Sequence, residues 1–136
     1  EYAYQVFREK VVAPALPVQS PLERLLSLCE NWLDWYDMQA KTCIYISAAV
    51  EFDDQPGAVH DRVQQDLAKW LHFLTKTIQD AIDSGELKPE TEASQLVYEI
   101  YSLYLGSQSM MWVGLEDTDH NRFLTAFNGL ISRFRN

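Results

Sequence analysis

An all-α fold, a bundle of about six helices, is predicted by three features of the chain. Apolar residues recur at helical spacing along several long stretches. Capping residues, prolines and glycines stand at the ends of those stretches. No hairpin turn sits between two alternating segments, and no internal repeat is present. The composition fits one globular domain, with 136 residues of which 47% are hydrophobic and 23% charged.

The elements follow in order. Residues 1–12 read as the tail of a helix, with Tyr4, Phe7 and Val11 at helical spacing and Pro14 and Pro17 as the stop. A chain opening inside a helix is expected to be part of a longer protein. Ser20-Pro21-Leu22-Glu23 is a capping box with proline at the first helical position. The helix it starts is predicted to reach residue 37, with Leu22, Leu25, Leu26, Cys29, Trp32, Leu33 and Tyr36 on one face. Residues 42–50 carry no charge. Their Cys-Ile-Tyr-Ile run suits a strand, whereas Ser-Ala-Ala and the lack of a partner strand favour a short buried helix. Residues 53–57 form a turn.

The next helix spans 58–84. Val59, Val63, Leu67, Trp70, Leu71, Leu74, Ile78, Ala81 and Ile82 share one arc, and Asp61, Gln65, Lys69, His72, Lys76 and Asp83 lie opposite. Gly85 is its expected left-handed cap, and Pro89 marks the following turn. A helix over 92–114 would be about 35 Å long. The last helix, over 119–135, carries a stripe of Phe123, Phe127, Leu130 and Phe134, flanked by Leu124 and Ile131. Asp117 is its expected N-cap, and Arg133 and Arg135 suit its negative end.

The helix near residue 100 is apolar nearly all round. Ser102, Gly106, Ser109 and Val113 form a stripe of mainly small residues, and Ile100, Tyr104 and Met111 lie opposite. Such a helix needs cover on both flanks. In a small domain, one flank can pack inward and the other against a second copy of the chain.

Charge and motifs exclude several functions. Twenty acidic residues against 11 basic ones give a net charge of −9, which repels a phosphate backbone. Two cysteines, Cys29 and Cys43, make no disulfide framework and no zinc spacing, so a reducing cytoplasmic setting is expected. The 96–115 stretch contains Glu99 and Gln108 and lacks flanking cations, so it reads as a buried helix and not a membrane span. No phosphate loop and no nucleophile motif is present, and neither enzyme activity nor a cofactor or metal is expected. Glu51, Asp53, Asp54 and His60 form a loose acidic cluster that would serve a small helical enzyme only if they converged. A helical interaction module without a ligand is the other alternative.

The chain resembles the C-terminal half of TetR-family transcriptional regulators. The residues that carry the resemblance are Phe7-Arg8-Glu9-Lys10-Val11-Val12-Ala13-Pro14-Ala15-Leu16, Ser20-Pro21-Leu22-Glu23-Arg24-Leu25, and the uncharged 42–50 run followed by Glu51-Phe52-Asp53-Asp54-Gln55-Pro56-Gly57. Ser84-Gly85-Glu86-Leu87 and the 99–106 segment match in kind. Lys41-Thr42 departs from the pattern, where a glycine is commoner. The resemblance implies an effector-binding and dimerisation domain. Its last two long helices would form a dimeric four-helix bundle. DNA would be bound only through an N-terminal helix-turn-helix domain lying outside this chain.

An effector pocket in such a domain is an apolar cavity with a few polar handles, here suited to a small apolar or aromatic molecule. Its candidate lining is Trp32, Trp35, Tyr36, Tyr45, His60, Trp70, Tyr101, Tyr104, Gln108 and Met111, on the inward faces of four helices. The expected homodimer contact comprises Ser102, Gly106, Ser109, Val113, Phe123, Phe127, Leu130 and Phe134.

Overall fold

The computed structural model describes residues 2–38, 58–115, 117 and 120–136. Among these the regular elements are all helical, with five α-helices and one isolated antiparallel bridge between Leu87 and Arg135. The sixth expected helix, over 42–50, lies outside the described residues. No helix among the described residues is long and apolar enough to cross a membrane. The chain divides into two compact units, Glu1–Thr77 and Ile78–Asn136.

The first unit opens with α1, Tyr2–Phe7, which runs into a π-helix over Arg8–Val12 and a 3-10 turn over Ala13–Ala15. The helical path thus extends past the expected stop at Pro14. Proline has no N–H and crowds the carbonyl four residues back, so an ordinary α-turn cannot continue through it. Here the turn before Pro14 is widened, with the Ala13 N–H donating to the Arg8 carbonyl, five residues back.

Helix α2, Pro21–Met38, starts as its capping box predicts. The Glu23 N–H donates to Ser20 Oγ at 3.2 Å. The Arg24 guanidinium donates to the Val18 carbonyl at 2.9 and 2.7 Å, fixing the preceding turn. Leu22, Leu25, Leu28, Cys29, Trp32, Leu33 and Trp35 are buried, and the π-segment packs on this helix.

Helix α3, Ala58–Asp83, begins in the first unit and ends in the second. Its buried stripe is Asp66, Trp70, Leu74, Thr77, Ile78 and Ala81. Leu67, Leu71 and Ile82 are only half-buried, so the inward arc is rotated from the expected one and takes in two polar residues.

In the second unit, Gly85 adopts φ 84° and ends α3, as its sequence position predicts. The Glu86 and Leu87 N–H groups both donate to the Ala81 carbonyl, at 3.0 and 3.1 Å. Helix α4 is Ala93–Trp112 and helix α5 is Asn121–Ser132. Helix α5 starts later than expected, because His120 is in the left-handed conformation at φ 58° and breaks the helical path. Asp117 still caps it from outside: its carboxylate accepts from the Arg122 and Phe123 N–H groups at 2.5 and 3.1 Å. The chain end is tied down as well. The Lys88 N–H donates to the Phe134 carbonyl at 2.7 Å, and the Asn136 side chain donates to the Gly85 carbonyl at 2.7 Å. Leu96, Val97, Ile100 and Tyr104 of α4 and Phe123, Phe127, Leu130 and Ile131 of α5 are buried.

Candidate functional site

The first unit gathers an aromatic cluster around Trp70. Phe7 lies edge-on to Trp70 at 4.9 Å and to Trp35 at 5.1 Å between ring centroids. Trp32 meets Trp70 edge-on at 5.3 Å, and Phe73 stacks on it at 6.3 Å. Edge-to-face pairs of this kind hold rings in fixed orientations and bury a large apolar area. Three elements build the cluster: α1 contributes Phe7, α2 contributes Trp32 and Trp35, and α3 contributes Trp70 and Phe73. The Trp70 indole N–H is buried and finds no acceptor among the described residues. A buried indole N–H ordinarily has a partner.

One turn before Trp70 lies Asp66, which sequence reasoning passed over. It sits at the edge of the apolar arc and reads as a solvated residue. Among the described residues it is the one buried charged side chain, 4% exposed. Arg62 Nε approaches its two carboxylate oxygens at 3.3 and 3.4 Å, and Lys69 Nζ lies 4.0 Å away.

In the second unit, Tyr104 is fully buried and Tyr101 half-buried, their rings stacked at 6.4 Å. Gln108, one turn further along α4, has its amide nitrogen buried without an acceptor among the described residues. Trp32, Trp35 and Trp70 thus stand together in the first unit, and Tyr101, Tyr104 and Gln108 follow one another along α4 in the second. The side chains of Tyr36, His60 and Met111 lie outside the described residues, as does Tyr45 entirely. Glu51, Asp53 and Asp54 lie outside them too, and the described residues contain no group of three metal-ligating side chains. Cys29 is buried, and burial, with a smaller contribution from Glu30, pushes its thiol up to about 12.

The residues expected at a homodimer contact divide into two sets. Ser102 and Ser109 are exposed on the outer flank of α4, and Val113, just past its end, is 72% exposed. Gly106 is half-buried, and the space above its Cα is open. Phe123, Phe127 and Leu130, by contrast, are buried in the second unit's own core, with Phe123 and Phe127 stacked at 6.0 Å. Phe134 is half-buried beside the Arg133 guanidinium, 5.5 Å from the ring centre. The outward face of α5 is instead its small-residue side, Thr125, Gly129 and Ser132. A sequence stripe does not say which side of a helix faces the chain's own core, and here the larger residues take it.

Between α4 and α5 the surface is hollowed into a groove of about 410 Å³. Tyr98, Ser102 and Leu103 line one wall, and Ala126, Gly129 and Leu130 the other. The Arg133–Glu99 ion pair, at 3.1 Å, also borders it. Tyr98 is 69% exposed, so an aromatic ring stands free at the groove's edge.

The family of Tetracyclin repressor-like C-terminal domains matches residues 21–127. None of the curated proteins matches the chain. Among solved structures, the chain is similar to a TetR-family transcriptional regulator from Cytophaga hutchinsonii, with a TM-score of 0.77 and 17% identity. That likeness covers 98% of this chain and 67% of the other, and at this identity it speaks for the fold. With helices in the expected order and a family match over most of its length, the chain belongs to the C-terminal regulatory domains of TetR-family transcription regulators.

Proposed function

We propose that this domain dimerises through the outer faces of α4 and α5 and binds a small effector in its interior. The effector would favour one helix arrangement over another and so alter DNA binding by an N-terminal domain outside this chain. The observation that carries the reading is the outer flank of α4. Tyr98 and Met110 are 69% and 53% exposed on a helix of 20 residues, and Val113, just past its end, is 72% exposed. Large apolar side chains collected along one flank favour burial against a partner. Small residues beside them, Ser102 and Gly106 on α4 and Gly129 on α5, let a second helix approach closely. A two-fold contact uses the same patch twice, which suits a surface made of two neighbouring helices. The buried indole N–H of Trp70, without an acceptor among the described residues, supports an effector with hydrogen-bond acceptors or polarisable faces.

Effector and dimer are linked by differential affinity. A ligand can shift the helix arrangement only by as much as it binds one arrangement better than the other. The test of the dimer is sedimentation of the chain at micromolar concentration beside Gly106→Arg. A side chain leaving Gly106 meets nothing within 4 Å at its first carbon, so the arginine is expected to fold, and circular dichroism checks it. A dimer that the arginine splits into monomers is the expected result. A monomeric parent chain would overturn the reading, and an unsplit dimer would move the contact off this flank.

A further inference from the structure

Asp66 lies on the buried stripe of α3 between the first turn of the helix and Trp70. An ion pair between helix neighbours needs no burial, since both partners can stand in water. This carboxylate is nevertheless taken out of water. Its Oδ1 accepts no hydrogen bond among the described residues, although Arg62 Nε is 3.3 Å away. Withdrawing a carboxylate in this way opposes folding, and a leucine at the same place on the stripe would not carry that penalty. Its two cations reach it from outside: the Arg62 and Lys69 side chains are 41% and 58% exposed. One helical turn on, the Trp70 ring is packed by Phe7, Trp32 and Phe73, and its N–H has no acceptor among the described residues.

A buried carboxylate one turn from a cluster of indole and phenyl faces has the chemistry that receives an organic cation. The positive centre gains the carboxylate's charge, and the aromatic faces attract it through their negative quadrupoles. An anion would meet the Asp66 charge, and a neutral molecule would leave it unused. We infer that the effector of this domain is an organic cation, an ammonium or phosphonium centre carried on apolar or aromatic groups. Asp66 takes its charge and Trp70 and Trp32 take its apolar surface, while Arg62 and Lys69, both already reaching in from solvent, turn outward. This rests on the reading that the domain binds an effector, and it names the effector's class.

The experiment titrates the 136-residue chain with three probes of similar shape: tetraphenylphosphonium, neutral triphenylphosphine oxide and anionic tetraphenylborate. Binding is followed by calorimetry and by tryptophan fluorescence. The phosphonium is expected to bind about tenfold tighter than the oxide, and the borate weakest. Asp66→Asn should lower phosphonium affinity about tenfold and leave the oxide unchanged, because a charged partner is replaced by a neutral one of the same size. Asp66→Glu, which keeps the charge, should retain most of the phosphonium affinity. Circular dichroism of both variants checks the fold. Equal affinity for phosphonium and oxide, or an Asn variant that binds the phosphonium like its parent, would overturn charge selection while the effector site stood. Failure of all three probes to bind would overturn the inference and count against the effector reading itself.

Discussion

The side-chain amide of Asn31 donates to the backbone carbonyl of Val11 at 3.1 Å. Val11 is fully buried and lies in the π-helical stretch Arg8–Val12. The Leu16 N–H, five residues on, bonds the Ala13 carbonyl instead, at 3.2 Å. The Val11 carbonyl thus takes a donor from α2, and the widened turn is fastened to the helix beneath it. A π-segment holds one residue more than an α-turn would, so relaxing it to α would rotate α1 by roughly 100° relative to α2. Asn31 is placed to fix that register.

Asn31→Ala is therefore expected to lower stability by about 1–3 kcal/mol, the range for stranding a buried carbonyl. Urea denaturation measures the loss. Amide exchange should quicken at residues 8–15 more than in α4 or α5. An unchanged exchange pattern over 8–15 would show that the π-turn holds without this bond.

Much of this fold was legible in the sequence, because helix ends are written in local chemistry. The capping box at Ser20, the left-handed Gly85 and the Asp117 cap each rest on contacts within a few residues. The π-turn was not legible: nothing in Arg8–Val12 distinguishes a bond to the fourth residue from one to the fifth. The orientation of α5 was ambiguous for a different reason. Phe123 and Phe127 share one face whether that face meets the chain's own core or another copy, and only tertiary packing decides. Asp66 was hidden by its polarity, since a carboxylate is placed in solvent by default. The aromatic cluster fared better: Trp32, Trp35 and Trp70 were expected on inward faces and stand together.

The position of Phe123 gives a test that separates core from contact. It is 2% exposed in the single chain. Phe123→Ala should lower stability by about 3–5 kcal/mol, as for other large-to-small changes in a packed interior. Because the lost contacts are within one chain, the loss should be the same at low and high protein concentration. A loss that appears only where the chain self-associates would return Phe123 to the dimer contact.

Cys29 makes the stability of the domain depend on pH at the alkaline end. Burial is the main cause and Glu30 the lesser one in raising its thiol from the ordinary 9.0 to about 12. The folded state therefore holds the proton where the unfolded chain releases it. A raised folded value contributes stability that is fully present below pH 9.0 and is lost as pH climbs toward about 12. Subtracting the denaturation profile of Cys29→Ala from that of the parent removes the tyrosines and lysines that titrate in the same window. The difference should be flat below 9.0 and should fall above it. The same burial keeps the thiolate, which is the reactive form, scarce at neutral pH. A thiol reagent should then modify Cys29 only as fast as the domain opens, with a rate that rises with urea. Prompt modification in the folded state, or a difference profile without slope above 9.0, would place the thiol within reach of water.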